Sequence, residues 1–177
     1  MRVKIGFLGP QGSGKTTKAY ELAAFLKKQA YDVYVLSEVA RSCPLPINES
    51  TTRESQLWIL GKQLTREQSS KGQVLVSDRT VLDVLAYSMR TDPKFFITLL
   101  EFIKAYMKTY DIIVYCKAND EYLIDDGTRS ADKGFRDEID EIMKSLIFKL
   151  DVKYIDDDNL NEKVLGIIKD VENNSKN

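Results

Sequence analysis

The sequence has no histidine among its 177 residues. This absence excludes Ser-His-Asp and Cys-His catalysis and imidazole metal ligation, so carboxylates, lysine, arginine and tyrosine must carry any chemistry. Only two cysteines are present, Cys43 and Cys116, and they do not form a CxxC pair. We therefore expect reduced thiols in a reducing compartment, rather than a disulfide framework or a zinc site.

Long apolar runs and an excess of charge of one sign are also missing. No run approaches the roughly 18 to 20 apolar residues that a membrane-spanning helix needs, and the N-terminus lacks the pattern of a secretory signal. We expect a cytoplasmic protein with no membrane partner. Lys plus Arg number 26 and Asp plus Glu 27, so the formal charge of -1 gives no global basic field for nucleic acid.

What the sequence does contain is the composition of one globular domain, with 43% hydrophobic and 30% charged residues. We assign residues 1–171 to this domain and 172–177 to a polar tail. Short apolar runs alternate with helical spacing, which predicts an α/β fold with a doubly wound, parallel, five-stranded sheet and ligands at the carboxyl ends of its strands. The strands are expected at 3–8, 33–36, 74–76, 112–115 and 152–155. The acidic run 156–158 is expected to be a solvated turn before the last helix.

Residues 9–16 read GPQGSGKT and match G-x-x-x-x-G-K-[ST] between the first strand and the first helix. The glycines let backbone N–H groups face inward, and the helix adds the positive end of its dipole. A chance lysine in a glycine-rich turn is the alternative. We expect ATP phosphates here, with Lys15 at the transferring phosphoryl group and solvated when the loop is empty, and with the Thr16 hydroxyl on Mg²⁺. The nucleotide-binding residues are predicted to be Gly12, Ser13, Gly14, Lys15, Thr16 and Thr17.

Acidic and basic residues follow the third strand. Asp78 is predicted to make the second Mg²⁺ contact, directly or through water. Its alternative role, which does not exclude the first, is to cap the helix that starts near Thr80. Arg79 follows directly and is predicted to project into the crevice, where it would bind the acceptor and take part in catalysis.

Glu38 and Arg41 lie just beyond the second strand, on the same rim of the predicted sheet. Glu38 is predicted to be catalytic, because a carboxylate there can orient or deprotonate an attacking hydroxyl. Arg41 can bind an anionic part of the acceptor or neutralise charge. A surface ion pair between the two residues is the alternative.

Two further pairs are candidates for acceptor recognition. Asp83 and Tyr87 are four residues apart on one helix and suit the hydroxyls of a ribose or base. The alternative is a solvent-facing pair. Trp58 and Gln63 could stack on and hydrogen-bond to a base, but a single tryptophan more often belongs to the core.

The polar segment at about 117–136 is predicted to be a lid. If it is helical, Arg129, Lys133 and Arg136 share one face. Arg129 and Arg136 are then predicted to be catalytic arginines that approach the phosphates when the lid closes. In the alternative, Arg136 pairs with Asp140 and Arg129 lies in solvent.

These motifs together resemble a family of small P-loop kinase-like proteins often labelled AAA-domain proteins, which includes the ribosylnicotinamide kinase domain of a bacterial NAD-biosynthesis regulator. The Asp-Arg pair at 78–79 is also similar to that of thymidylate and deoxynucleoside kinases. The resemblance implies Glu38 as base or acceptor-orienting carboxylate, Asp78 near Mg²⁺, and Arg79 at acceptor or phosphate. It also implies Arg129 and Arg136 as lid arginines. The resemblance rests on residues 9–16, 38–41, 63, 78–83, 86–87, 125–129 and 135–136.

The sequence therefore predicts an ATP- and Mg²⁺-dependent kinase that phosphorylates a nucleoside, a nucleotide or a similar small hydroxylated metabolite. The spacing of Glu38 and Arg41 also resembles that of polynucleotide kinases, so a nucleic-acid 5′ or modified-base hydroxyl is an alternative acceptor. The neutral net charge disfavours it. A nucleotide-binding switch or ATPase that acts on a protein partner is a further alternative, although the guanine motif Asn-Lys-x-Asp is absent. The oligomeric state is left open.

Overall fold

The computed structural model describes residues 2–122 and 132–174. No helix in these two ranges has both the length and the apolar run needed to cross a membrane. The strands are β1 Val3–Leu8, β2 Val33–Leu36, β3 Val74–Asp78, β4 Ile112–Tyr115 and β5 Ile155–Asp156. The helices are α1 Lys15–Lys28, α2 Arg53–Ser69, α3 Val81–Thr91, α4 Pro93–Met107, α5 Lys133–Lys149 and α6 Leu160–Asn174.

The strands form one sheet in the order β2-β3-β1-β4-β5, and every neighbouring pair is parallel. This confirms the predicted doubly wound α/β fold. Helices α1 and α6 cover one face, and α2, α3, α4 and α5 cover the other. The chain leaves β1 on one side to form β2 and β3 and later crosses to β4 on the other. The carboxyl end of β1 is therefore the point where connections diverge and a crevice opens.

The last strand is shorter and begins later than predicted, because it contains only Ile155–Asp156 instead of residues 152–155. The backbone N–H of Val152 donates to the carbonyl of Ile147 at 3.0 Å, so this part of the chain still closes the end of α5. The prediction of a strand at 152–155 was therefore wrong at its start, where the backbone completes the end of α5.

The acidic run 156–158 is also more than a solvated turn. Asp156 belongs to β5 and lies opposite Tyr115 of β4. The Asp157 carboxylate forms an ion pair with Lys18 of α1. The run therefore connects the sheet edge to the helix that follows the glycine-rich loop.

The loop between β1 and α1 lies directly against the chain that follows β4. The N–H of Cys116 donates to the carbonyl of Leu8 at 2.8 Å, and the N–H of Asn119 donates to the carbonyl of Gly12 at 3.1 Å. Gly9 has a φ of 147°, and a Cβ at this position would overlap the backbone carbonyl oxygen of Cys116. Glycine is therefore required here both by conformation and by the close approach of two backbones.

We expect Gly9→Ala to destabilise the protein by about 3 kcal/mol, because the overlapping atom is backbone that cannot rotate away. Gly166→Ala is the matched control. Gly166 lies in α6 with nothing within 4 Å of an added Cβ, so alanine should stabilise that helix by about 1 kcal/mol. Urea unfolding of both variants measures the difference, and an equal effect of the two substitutions would contradict the packing argument.

Candidate active site

The lysine of the glycine-rich loop is buried by the loop itself. The Lys15 side chain donates from Nζ to the Pro10 carbonyl and, at 3.0 Å, to Ser13 Oγ, and the residue is 6% exposed. The Ser13 hydroxyl also donates to the Pro10 carbonyl at 2.8 Å. Burial, followed by the charge of nearby Arg79, lowers the pKa of Lys15 to about 8. The expectation of a solvated ammonium is therefore wrong, because the loop's own oxygen atoms replace water around it.

The two predicted metal ligands are next to each other. Thr16 Oγ1 donates to Asp78 Oδ2 at 2.7 Å, and Asp78 is buried at the end of β3. A hydroxyl and a carboxylate beside a phosphate-binding loop are oxygen ligands of the kind Mg²⁺ uses together with substrate phosphates and water. Asp78 does not cap α3, because Thr80 fills that position and its N–H donates to Asp83 at 2.8 Å.

Arg79 lies between two carboxylates at the centre of the site. Its Nε donates to Glu38 Oε1 at 2.6 Å and its Nη1 to Asp83 Oδ1 at 3.0 Å. Burial alone would lower the pKa of Arg79, but Glu38, Tyr87 and Asp83 raise it well above its usual value. The residue has a φ of 98°, which is strained for a non-glycine residue. Two ion pairs therefore stabilise a strained backbone that turns the guanidinium into the crevice.

Glu38 contacts two arginines. Besides Arg79, it accepts a hydrogen bond from Arg41 Nε at 3.1 Å. The Glu38 side chain is 8% exposed and that of Arg41 is 39% exposed. The ion pair that was the alternative for these residues therefore exists, but its acid is buried at the active-site rim and not on the open surface.

Asp83 and Tyr87 are both buried, so a solvent-facing pair is the wrong interpretation. Burial raises the pKa of each, although Arg79 opposes the shift. The Tyr87 hydroxyl donates to Gln11 Oε1 at 3.3 Å, and its ring meets Phe135 of α5 edge to face. Asp83 orients Arg79 and caps α3, while Tyr87 connects α3 to the loop.

Trp58 and Gln63 have separate surroundings. Trp58 packs against the core and lines neither of the clefts described below, so the core interpretation of the tryptophan is confirmed. Gln63 lines the larger cleft, but its amide nitrogen donates to Glu67 at 2.7 Å and to Ser77 at 2.9 Å. Its donor group is therefore occupied by the protein.

Two adjoining clefts meet at the carboxyl ends of the strands. We call them the phosphate cleft and the acceptor cleft, after the roles that the sequence predicts for them. The phosphate cleft is lined by the glycine-rich loop, Thr16 and Asp78. The acceptor cleft is lined by polar side chains, among them Asp83 and Tyr87, and by aliphatic side chains. Thr17 is exposed and lines neither cleft. The residues that line both clefts are Gln11, Glu38 and Arg79.

Sequence reasoning missed Gln11. The loop motif accepts any residue at this position, and spacing alone gives no reason to single it out. The only available signal was a long polar side chain among small residues, and that signal does not predict which cleft the side chain reaches.

The predicted lid is only partly within the described residues. Arg129 lies in 123–131, outside them. Arg136 is 3% exposed and donates to Asp120 at 2.7 Å and to Asp137 at 2.8 Å. It lines neither cleft.

The alternative ion pair between Arg136 and Asp140 is wrong. Asp140 instead accepts a hydrogen bond from the Tyr115 hydroxyl and pairs with Lys144. Asp140 lies one turn of α5 beyond Arg136. The guanidinium of Arg136 instead binds Asp120, which precedes the segment 123–131, and its neighbour Asp137. Arg136 therefore joins the two sides of that segment, and its catalytic role stays a prediction.

The glycine-rich loop between β1 and α1, with the sheet order β2-β3-β1-β4-β5, defines a P-loop nucleotide-binding fold of the deoxynucleoside kinase type. Among protein families, the AAA domain family matches residues 4–163 of this chain. The chain belongs to this family. None of the curated proteins matches it significantly.

Solved structures support the fold. A deoxyadenosine kinase from M. mycoides with the products dCMP and a flexible dCDP bound is 15% identical, covers 96% of this chain and 100% of its own, and has a TM-score of 0.64. The same kinase with dATP bound is 18% identical over 95% of this chain and 100% of its own, with a TM-score of 0.58. The same kinase with dCTP bound is 16% identical, covers 95% of this chain and 100% of its own, and has a TM-score of 0.57. At these identities the likeness establishes the fold.

We expect Lys15→Met to raise the melting temperature of the nucleotide-free protein and to abolish its further rise with Mg-ATP. With its pKa lowered to about 8 from 10.5, Lys15 holds fewer protons in the folded protein than in the unfolded chain. Its charged form therefore costs stability at neutral pH, and the cost disappears as pH rises above these values. Thermal unfolding at pH 7 measures both effects.

Lys28→Met is the control, because Lys28 is exposed in the last turn of α1. It should leave the melting temperature and the nucleotide response nearly unchanged. A lower melting temperature of Lys15→Met would show that the ammonium stabilises the empty loop.

Proposed function

We propose that the protein transfers the terminal phosphoryl group of ATP to a hydroxyl of a small nucleoside-like acceptor, with Mg²⁺ at Thr16 and Asp78. The observation that carries this proposal is the pair Glu38 and Arg79, which lines both the phosphate cleft and the acceptor cleft. A carboxylate and a guanidinium at such a junction suit a hydroxyl that attacks phosphorus. The kinase fold supports the proposal independently.

Each of the residues at the junction has a separate role in this reaction. The acceptor hydroxyl lies against Glu38, which orients it and takes its proton as the new oxygen–phosphorus bond forms. The bond between the terminal phosphorus and the bridging oxygen breaks, and ADP leaves. Lys15 and Arg79 face the charge that develops on the transferring group. When bound, Mg²⁺ would neutralise part of the negative charge of the phosphates.

The charge of the acceptor cleft favours an acceptor without a phosphate group. Two carboxylates and two guanidiniums line it, and both guanidiniums are hydrogen-bonded to Glu38. A nucleotide acceptor would bring about two further negative charges next to Glu38 and Asp83, whose charges already balance those of Arg41 and Arg79. A nucleoside can place its hydroxyls against polar lining side chains and its base against aliphatic ones.

Nucleic acid is a weaker candidate for the acceptor. No lysine is among the described residues that line the acceptor cleft. A polynucleotide bound through several phosphates needs such cations and shows a steep dependence of affinity on salt. Action on a protein partner would show as ATP turnover that no small acceptor stimulates.

The proposal is tested by measuring phosphate transfer from labelled ATP to a panel of acceptors. The panel contains nucleosides, ribosylnicotinamide, nucleoside monophosphates and an oligonucleotide with a free 5′ hydroxyl. We expect kcat/KM to be highest for an acceptor without phosphate, and transfer to require Mg²⁺. Preference for a monophosphate or the oligonucleotide, or no acceptor-stimulated turnover at all, would refute the proposal.

Glu38→Gln should lower kcat for the best acceptor by roughly 10² to 10⁴, because the amide cannot take the proton. Glu54→Gln is the matched control, since Glu54 is exposed in the first turn of α2 and pairs only locally with Arg53. Its kinetics should equal those of the wild type. If Glu38→Gln keeps its turnover, Glu38 does not act as the base.

The lid arginines are a separate prediction. We expect Arg129→Ala to lower kcat by at least about 10² while ATP affinity changes by no more than roughly tenfold, because the contact forms mainly in the transition state. Arg136→Ala is predicted to do the same, and its melting temperature must be measured because Arg136 is buried. Normal turnover in both variants would remove catalytic arginines from the mechanism. A loss explained by unfolding would make Arg136 structural.

A further inference from the structure

Gln11 has a buried hydrogen-bond donor that the protein does not use. The residue is 3% exposed, and its Nε2 has no hydrogen-bond acceptor in residues 2–122 and 132–174. Gln11 also lines both the phosphate cleft and the acceptor cleft. A buried polar group without a partner is rare in folded proteins, and the position of this amide between the two clefts makes a bound molecule a suitable partner.

The other half of the Gln11 amide is held in place. The Tyr87 hydroxyl donates to Gln11 Oε1 at 3.3 Å. Burial raises the pKa of Tyr87, so the phenol keeps its proton and remains a donor to this oxygen. The contact fixes the amide plane and leaves both N–H groups of Nε2 for another molecule.

The position of Gln11 limits what that molecule offers. Gln11 lies in the loop whose other residues surround the phosphate cleft, and Nε2 can only donate. On the acceptor side, the attacking hydroxyl already has Glu38 for its proton. On the phosphate side, the terminal group carries several negatively charged oxygens, which form stronger hydrogen bonds with a neutral donor than a hydroxyl does.

We propose that Gln11 Nε2 donates a hydrogen bond to a non-bridging oxygen of the terminal phosphate of the bound nucleoside triphosphate. The inference rests on the proposed use of a triphosphate donor and names the residue that distinguishes triphosphate from diphosphate. When the phosphoryl group is transferred, Nε2 loses its partner. The site then holds the diphosphate product without this contact.

The test compares two ligands that differ at the terminal phosphate. Calorimetry with Mg²⁺ measures the affinity for ADP and for an ATP analogue with an imido bridge between the β and γ phosphates. We expect Gln11→Met to weaken binding of the analogue by roughly tenfold or more, as a hydrogen bond to a charged group implies. ADP affinity should stay within about twofold.

Three variants accompany Gln11→Met. Gln11→Glu keeps an oxygen for Tyr87 but replaces the donor with a negative charge. It should therefore weaken binding of the analogue more than Gln11→Met does, and it should weaken binding of ADP less than binding of the analogue. Tyr87→Phe leaves Nε2 in place but frees the amide to rotate, and should give a smaller loss of the same kind. Gln68→Met is the control, because Gln68 is exposed outside both clefts and should change neither affinity. Thermal unfolding establishes that each variant is folded.

Each outcome decides the inference. Equal weakening of both ligands, or no change in either, would overturn it. If Gln11→Met raises KM for the molecule that receives the phosphoryl group and leaves both nucleotide affinities unchanged, Gln11 binds that acceptor. This result would also overturn the inference. If Gln11→Met does not fold, Gln11→Glu and Tyr87→Phe decide by the same comparison. Nucleotide binding needs no acceptor, so a failed acceptor panel leaves this test valid, whereas a wild type that binds neither nucleotide refutes the proposed function itself.

Discussion

The ion pairs of Arg79 with Glu38 and Asp83 are the interaction on which the site depends. They connect the end of β2, the end of β3 and the first turn of α3 through one guanidinium. If both carboxylates were lost, an uncompensated buried cation would remain on a strained backbone, and such a charge costs about 3 to 5 kcal/mol. The same pairs cancel the charge of the acceptor cleft. The stability of the site and the acceptor preference that we propose therefore depend on the same ion pairs.

Lys15 differs from Arg79, because its ammonium has no carboxylate in direct contact among the residues that the structure describes. Lys15 is bonded to a carbonyl and a hydroxyl of the loop, and these groups solvate the ammonium without neutralising it. The loop therefore holds a positive charge that a phosphate can neutralise. The lowered pKa of Lys15 means that burial of this charge costs stability, and a bound anion would offset that cost.

The fold could be predicted from the sequence, and so could the position of most candidate site residues at one edge of the sheet, because strand runs and loop spacing are local patterns. The surroundings of the residues could not. For Asp83 and Tyr87 a solvent-facing pair was the alternative interpretation, but α3 packs against α2, α4 and α5, and both residues are buried. The spacing of apolar residues identifies one buried face of a helix, but it does not predict how many other helices pack against that helix. The partners of Arg136 and the donor of Gln11 likewise depend on contacts between distant segments.

The ring contact between Phe135 and Tyr87 joins the start of α5 to the glycine-rich loop. Phe135 is the third residue of α5, only four residues beyond the segment 123–131, and its ring centroid is 6.0 Å from that of Tyr87. The Tyr87 hydroxyl in turn fixes the Gln11 amide. The ring contact and the hydrogen bond therefore connect the first turn of α5 to the glycine-rich loop through the side chain of Tyr87. The two ends of this chain of contacts belong to parts of the sequence more than 120 residues apart, so the position of the Gln11 amide depends on the packing of α3 against α5 as well as on the loop.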